Sequence, residues 1–327
     1  MEARSRTRPR RHARAAAACA AGLLLAGLIG CTGTAPDPGA PSASQGTSHF
    51  TGLAAPNGPV LAVKIDNVRP ARPHTGLDAA DLVYVEQVEA GLTRLLAVYS
   101  SRLPPSIGPV RSARESDLEL LRQFGRPALA YSGARSALLP VIEAAPIAAV
   151  TPATAPGAYV RADDRPAPHN LYLRPRQALD AAERVDDARD IGLRFGPPTG
   201  TGRSSPEHTV RYPAARYTFT WSPERGGWQI ALDGTAAATA DGTVLAPATV
   251  VVQYTEIRPS RFADRSGSTT PYTETVGSGR ALVLRDGRAF DARWERPTAE
   301  AGTRFTTPSG EPADFARGQV WILLAPR

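Results

Sequence analysis

The sequence predicts an α+β protein in two parts: an N-terminal mixed α/β domain around a mainly buried sheet, then a smaller β-rich domain, barrel- or sandwich-like. Three observations carry this. Pro59–Asp66 is apolar on both faces, the pattern of a strand covered on both sides. From there to about residue 190, strand-like runs alternate with segments such as 115–124, where Leu118, Leu121 and Phe124 fall on one helical stripe. Beyond Ile191 the pattern changes to short strand-like runs punctuated by Asp233-Gly234, Asp241-Gly242, Asp286-Gly287 and Ser309-Gly310.

The first thirty residues read as an address. Arg4, Arg6, Arg8, Arg10, Arg11 and Arg14 precede an apolar run from Ala15 to Ile29, the layout of an export signal and too short for a membrane span. The run ends in Leu28-Ile29-Gly30-Cys31, which looks like the lipobox of bacterial lipoproteins. That likeness implies removal of residues 1–30 and a diacylglyceryl group on the Cys31 sulfur, with the general secretory route favoured. The expected location is the outer face of the cytoplasmic membrane, with the membrane itself as a partner through that lipid.

Charge and cysteine content change meaning accordingly. The chain carries a formal +7, and the leader holds six arginines and Glu2, which leaves +2 on the remainder. The basic balance is therefore no sign of nucleic-acid binding. Cys19 lies in the leader and Cys31 is committed to lipid, so no internal disulfide is expected.

Residues 31–58 are rich in Gly, Pro, Ala, Ser and Thr and read as a flexible tether, unable to bury enough apolar surface to offset its ordering entropy. The first domain spans 59–190. After the buried strand comes a loop broken by Pro70, Pro73 and Gly76, then strand-like 81–88 and 93–100, close enough to form a hairpin. The loop Gly108–Arg114 leads into a helix over 115–124. A buried strand at 127–132 and helix-like segments at 136–145 and 176–189 follow.

The Gly108–Arg114 loop is the main candidate site. Arg111, Ser112 and Arg114 stand just before a helix start, where guanidinium forks and free N–H groups favour an anion. The competing reading is a structural arginine pair tied to carbonyls and carboxylates. Arg72 and Arg94 can join either arrangement. Glu86 and Glu89 have an odd spacing, which puts them on opposite faces of a regular strand and argues against a paired acid–base role. If buried, Glu86 needs a cation, with Arg72, Arg94 and Arg111 as its natural partners. Lys64 is the only lysine, and a local ion pair with Asp66 on the same strand face is the simplest account of it. His169 and Asn170, in Ala167–Tyr172, read either as a polar wall of the same cleft or as loop anchors.

Several chemistries find no support. His49, His74, His169 and His208 do not cluster, and no free cysteine remains, so no structural or transition metal is expected. Ser112 lacks the Gly-x-Ser-x-Gly setting of an α/β-hydrolase nucleophile. With neither a Walker loop nor a dinucleotide fingerprint, no cofactor is expected.

Residues 191–206 form a Gly/Pro/Ser-rich junction, and 207–327 the β-rich domain. Its strand-like runs are 215–221, 227–232, 249–257, 281–285, 289–294 and 320–325, with Trp221, Trp228, Trp294 and Trp321 read as core.

Taken together, Lys64-Ile65-Asp66-Asn67, Ala71-Arg72-Pro73, Ala80–Tyr84, Gly91–Arg94, Gly108–Arg114 and Ala167–Tyr172 resemble the N-terminal domain of YerB-like lipoproteins. Gly277-Ser278-Gly279, Asp286-Gly287, Arg293-Trp294 and Gly318–Ile322 extend the resemblance through the C-terminal domain. It implies a two-domain extracytoplasmic lipoprotein and supplies no catalytic residue. The expected role is a binding module for a phosphate-bearing or carboxylate envelope ligand. An enzyme acting on phosphorylated wall or lipid-linked precursors and an envelope scaffold are the alternatives.

Overall fold

The computed structural model describes residues 46–163, 165–263 and 267–327; the leader, Cys31 and most of the expected tether lie outside them. The first half supplies strands β1 (Leu61–Asp66), β2 (Leu82–Gln87), β3 (Thr93–Tyr99), β4 (Ala128–Ala130), β5 (Ala148–Val150), β6 (Tyr159–Arg161) and β7 (Leu171–Leu173). Its helices are α1 (Glu115–Leu121), α2 (Leu139–Ala144) and α3 (Pro175–Ala181). The second half is all strand. It contains β8 (Arg203–Ser204), β9 (Glu207–Tyr212), β10 (Ala215–Ser222), β11 (Gly227–Leu232), β12 (Thr235–Ala236) and β13 (Thr249–Thr255), then β14 (Ile257–Ala263) and β15 (Thr269–Thr273). Finally come β16 (Gly277–Arg285), β17 (Arg288–Arg296), β18 (Arg304–Thr306) and β19 (Val320–Pro326).

The halves share one sheet. Its order is β18-β17-β16-β13-β19-β2-β3-β1-β4-β5, with β8 beside β17, and residues 44–327 form one compact unit. The expected barrel or sandwich of residues 207–327 is therefore corrected: five of its eleven described strands, β13, β16, β17, β18 and β19, extend the first sheet. The reason is visible in β19, where every residue from Val320 to Ala325 is buried. A strand apolar on both faces needs a neighbour at each edge and a layer on each side, and β19 obtains them by lying parallel to both β13 and β2. The molecule is thus sheet-rich, with short helices.

Each face of the sheet has its own core. Leu61, Val63, Ile65, Val83, Leu95, Val250 and Trp321 pack against Tyr217, Phe219, Trp228 and Ile230 of the separate sheet β12-β11-β10-β9. The opposite face, with Ala62, Leu82, Leu96, Val98 and Ile322, packs against Leu118 and Leu121 of α1, Phe124, and Ile142 of α2. The period-2 alternation along β1 thus sends odd positions to one layer and even positions to the other. Lys64 and Asp66 are even positions, so they face the α1 layer.

Three local expectations are corrected. Phe50 is fully buried and meets the Phe124 ring edge-on at 5.4 Å, so the described part of the tether belongs to the fold. Burying a phenylalanine stabilises by about 1.5–3 kcal/mol, enough to anchor a short polar segment. The junction is also packed, since Ile191 and Leu193 are buried and Phe195 meets Phe315 edge-on. The helix at 176–189 ends at Ala181: Ala182 is already extended, and Arg184 has a positive φ of 51° that no helix continues through. Among the described residues, no helix is long and apolar enough to cross a membrane.

Candidate functional site

The Gly108–Arg114 loop acts as a partial strand. β4 pairs with only the first three residues of β1, leaving the later part of that edge open. The loop fills it: Asp66 donates its N–H to the Pro109 carbonyl, and Arg111 donates to the Lys64 carbonyl at 2.7 Å. Val110 donates to the Leu171 carbonyl at 2.6 Å, and Ser132 donates to the Arg111 carbonyl at 3.0 Å. Glycine is required at 108 because an added Cβ would lie 2.8 Å from the Tyr172 ring and 3.0 Å from the Leu171 carbonyl oxygen. The backbone is therefore held on both sides, and the arginine side chains project from a fixed ribbon.

A charged row crosses the sheet beneath that ribbon. Arg94 on β3 is the register partner of Asp66 on β1 and of Glu86 on β2. Next to this row lies a buried triad. Lys64 Nζ donates to Glu86 at 2.7 Å and to Asp117 at 2.6 Å, with side-chain exposures of 0%, 1% and 0% for Lys64, Glu86 and Asp117. Burial, with the negative Asp117 beside it, pushes the Glu86 carboxyl up to about 8, and Lys64 opposes this. Glu86 Oε1 is buried without a hydrogen-bond partner. Two expectations are corrected here: Glu86 takes Lys64 as its cation rather than an arginine, and Lys64 reaches across to β2 and α1 rather than along β1 to Asp66.

Above the row opens a cleft of about 480 Å³. Arg94, Arg111, Ser112 and Arg114 line it, joined by Glu89, Ser132, Gly133 and Arg135, with Phe262 and Thr270 from the second half of the chain. Arg94 Nη1 donates to the Ser112 carbonyl at 3.0 Å and so braces the loop from below. Burial and the neighbouring charges of Arg114 and Arg111 lower the Arg94 guanidinium to about 10, against the pull of Glu89 and Asp66. Arg114 donates to Glu89 at 2.7 Å. Arg111 Nε lies 3.3 Å from Asp66 but is not aligned for a hydrogen bond, and it is buried without a partner, as is Arg114 Nε. Guanidinium donors without acceptors beside an open cleft leave capacity for an added anion.

The helix start contributes less than expected. Asp117 accepts the Arg114 backbone N–H at 2.6 Å, and Glu115 and Asp117 both sit in the first turn of a seven-residue helix. These carboxylates offset the helix dipole, so the positive character of the cleft comes from guanidiniums.

The other candidates lie elsewhere. Arg72 pairs with Asp233 at 2.9 Å and donates to the Asn67 carbonyl, beside a second cavity of about 450 Å³ that includes His74 and Thr239. His169 Nδ1 is 2.8 Å from Asp66, so it meets the arginine loop only through that shared carboxylate. Asn170 accepts from Arg161 and donates to the Ala162 carbonyl, a loop anchor. Glu89 lies beyond β2 in the short turn Glu89–Gly91, so strand alternation does not govern it; it pairs with Arg114 while Glu86 takes Lys64. Among the described residues, no group of His, Cys, Asp and Glu is placed to hold a metal ion. Sequence reasoning missed Asp117, Arg135, Phe262 and Thr270. Asp117 alone left a trace, three residues after Arg114 at the helix start, the spacing of an N-terminal cap.

Residues 50–188 match the family described as "Protein of unknown function (DUF3048) N-terminal domain", and residues 208–322 match its C-terminal domain. The chain is 23% identical over 282 residues to "Putative lipoprotein YerB" of Bacillus subtilis (strain 168), covering 81% of each. A crystal structure of YerB protein from Bacillus subtilis superposes with a TM-score of 0.73 at 20% identity, over 86% of this chain and 97% of that one. At that identity the likeness speaks for the fold.

Proposed function

The chain belongs to the DUF3048 family, and we propose that it is a lipid-anchored extracytoplasmic binding module that takes an anionic envelope ligand in the Arg94–Arg111–Arg114 cleft. The observation that supports the reading is the convergence of three guanidiniums, only two of which have a carboxylate contact. Cys31 at the end of the leader is the anchor, and the likeness to a protein named as a lipoprotein accords with it.

A binding role fits the site better than a catalytic one. The carboxylates that line the cleft are engaged, Glu89 by Arg114 and Glu115 by Ser260 and Arg261, and the two other candidate bases, Glu86 and His169, are not in the lining. Glu86 lies beneath the arginines against Lys64, and His169 is engaged by Asp66. Titration calorimetry with pyrophosphate tests the reading. Saturable binding that is lost in Arg111→Ala and in Arg114→Ala is expected; wild-type affinity in both variants rules the clamp out.

A further inference from the structure

Resting on that reading, we infer that the ligand is a phosphate monoester, bound as its dianion, whose organic group is apolar. Two independent features of the cleft lead there. The first is charge. Arg94, Arg111, Arg114 and Arg135 face Glu89 and Glu115, which leaves two positive charges unmatched in the lining. Extending the count to the side-chain ion pairs of the lining adds Asp66 beside Arg111 and Arg261 beside Glu115, and the excess of two is unchanged; Asp117, on the Arg114 backbone N–H, has Lys64 as its own cation. Asp66 is moreover shared with His169. A carboxylate or a phosphodiester brings one negative charge and leaves half of this excess unmet. A phosphate monoester carries close to two above its second pKa of about 6, with three oxygens for guanidinium forks.

The second feature is an apolar part of the lining. Half-buried Phe262 on β14 and Ala134 after β4 are both part of the lining, with the buried Leu138 beneath them. Phe262 reaches the cleft because β14 and β15 are tied to α1. Ser260 donates to Glu115, and Thr273 donates its N–H to Ser116 Oγ at 2.9 Å. On the other side, Thr270 donates to Glu89 at 2.7 Å. An apolar surface fixed by polar contacts in the same lining as the guanidiniums, its Phe262 ring 5.0 Å from the Arg261 guanidinium, suits an amphiphile, with phosphate on the arginines and apolar group against the ring.

Hexyl phosphate, hexanoate and inorganic phosphate, titrated into the purified protein at pH 7.5, test the inference. Hexyl phosphate is expected to bind about tenfold or more tightly than either of the others, since the apolar arm and the second charge are each worth about 1.4 kcal/mol or more. Phe262→Ala, on a half-buried ring, should weaken hexyl phosphate and remove most of its advantage over inorganic phosphate. Arg111→Gln should weaken all three probes. Hexyl phosphate binding should also strengthen from pH 5 to 7 as the second proton leaves. Equal affinity for hexanoate and hexyl phosphate would overturn the dianion assignment while the anion cleft stands, and an unaffected Phe262→Ala variant would overturn the apolar arm. Failure of all three probes to bind would remove the anion-binding reading itself. Vesicles of phosphatidylcholine with and without phosphatidic acid separate the sources. Capture dependent on phosphatidic acid and Arg114 identifies a lipid headgroup, whereas hexyl phosphate binding without capture identifies a soluble ester.

Discussion

Asp117 accepts the backbone N–H of Arg114 at 2.6 Å, so the last residue of the arginine loop is fastened to a carboxylate that is itself fully buried. Its other oxygen takes the Lys64 ammonium, which also holds Glu86. The cleft is thus built on a charged foundation: two carboxylates and one ammonium under the sheet surface, three guanidiniums above it.

Removing the cation from that foundation should be costly. Lys64→Met leaves Asp117 buried without its counter-charge and Glu86 without its donor, and breaking a buried pair this way costs about 3–5 kcal/mol. Urea denaturation should show the loss as a lower midpoint. A loss below about 1 kcal/mol would mean that the triad carries little of the stability assigned to buried pairs.

Glu89 should compete with the ligand for Arg114. Burial opposes its ionisation, but the hydrogen bond and charge of Arg114, helped by Thr270, hold its carboxyl below the usual range. It is therefore negative at neutral pH. Glu89→Gln should tighten pyrophosphate binding by about fivefold, the equivalent of roughly 1 kcal/mol for a partly exposed charge. Weaker binding in Glu89→Gln would instead make Glu89 a positioning residue for Arg114.

Stability should depend on pH through two buried groups of opposite sign. His74 Nε2 donates a hydrogen bond to the Asp66 carbonyl, and burial lowers its imidazole from 6.5 to about 4. Its contribution is full above 6.5 and is lost as pH falls through 4. Glu86 behaves inversely: its raised carboxyl contributes most below 4.5, and that contribution is lost as pH rises through about 8. The two nearly oppose each other in the acid range where they overlap, so the net decline falls between pH 6.5 and 8. Urea midpoints across pH 4 to 9 should show that decline in the wild type and not in Glu86→Gln. A decline that survives the substitution would place its origin elsewhere.

Gly108→Ala should damage the loop. The added methyl meets the Leu171 carbonyl and the Tyr172 ring, and the backbone on both sides is pinned by strand-like bonds. Overpacking of this kind costs about 1–3 kcal/mol. Thermal melting should fall, and pyrophosphate affinity should fall with it because Arg111 is displaced. A variant as stable as wild type would show that the loop can shift.

How much of this was legible in the residues depended on whether the signal was local. Leu61–Asp66, the Leu82–Tyr99 hairpin and the stripe of Leu118, Leu121 and Phe124 are set by periodicity over a few residues, and the structure has them where the pattern predicts. The four tryptophans also read as core, and three of them are fully or nearly fully buried. The shared sheet was not legible. Val320–Ala325 announces a strand buried on both faces, but nothing local states that its neighbour is Leu82–Val85, more than two hundred residues earlier. The partners of Lys64 failed for the same reason: the nearest acidic residue in sequence is Asp66, while the contacts come from 22 and 53 residues away. In the cleft, the arginines announced themselves through one short loop, but Phe262 and Thr270 come from a hairpin with no motif pointing to them. Arg72, His169 and Asn170 carry equally suggestive motifs and are used to hold loops.

The central claim is that Arg94, Arg111 and Arg114 together hold an anion, and the most direct measurement is the anomalous difference map of a crystal soaked in tungstate. The account predicts a peak within hydrogen-bond reach of Arg111 and Arg114 in the cleft floored by Arg94, absent from an Arg111→Ala crystal. A vacant cleft with tungstate bound at other arginines on the same molecule would contradict it.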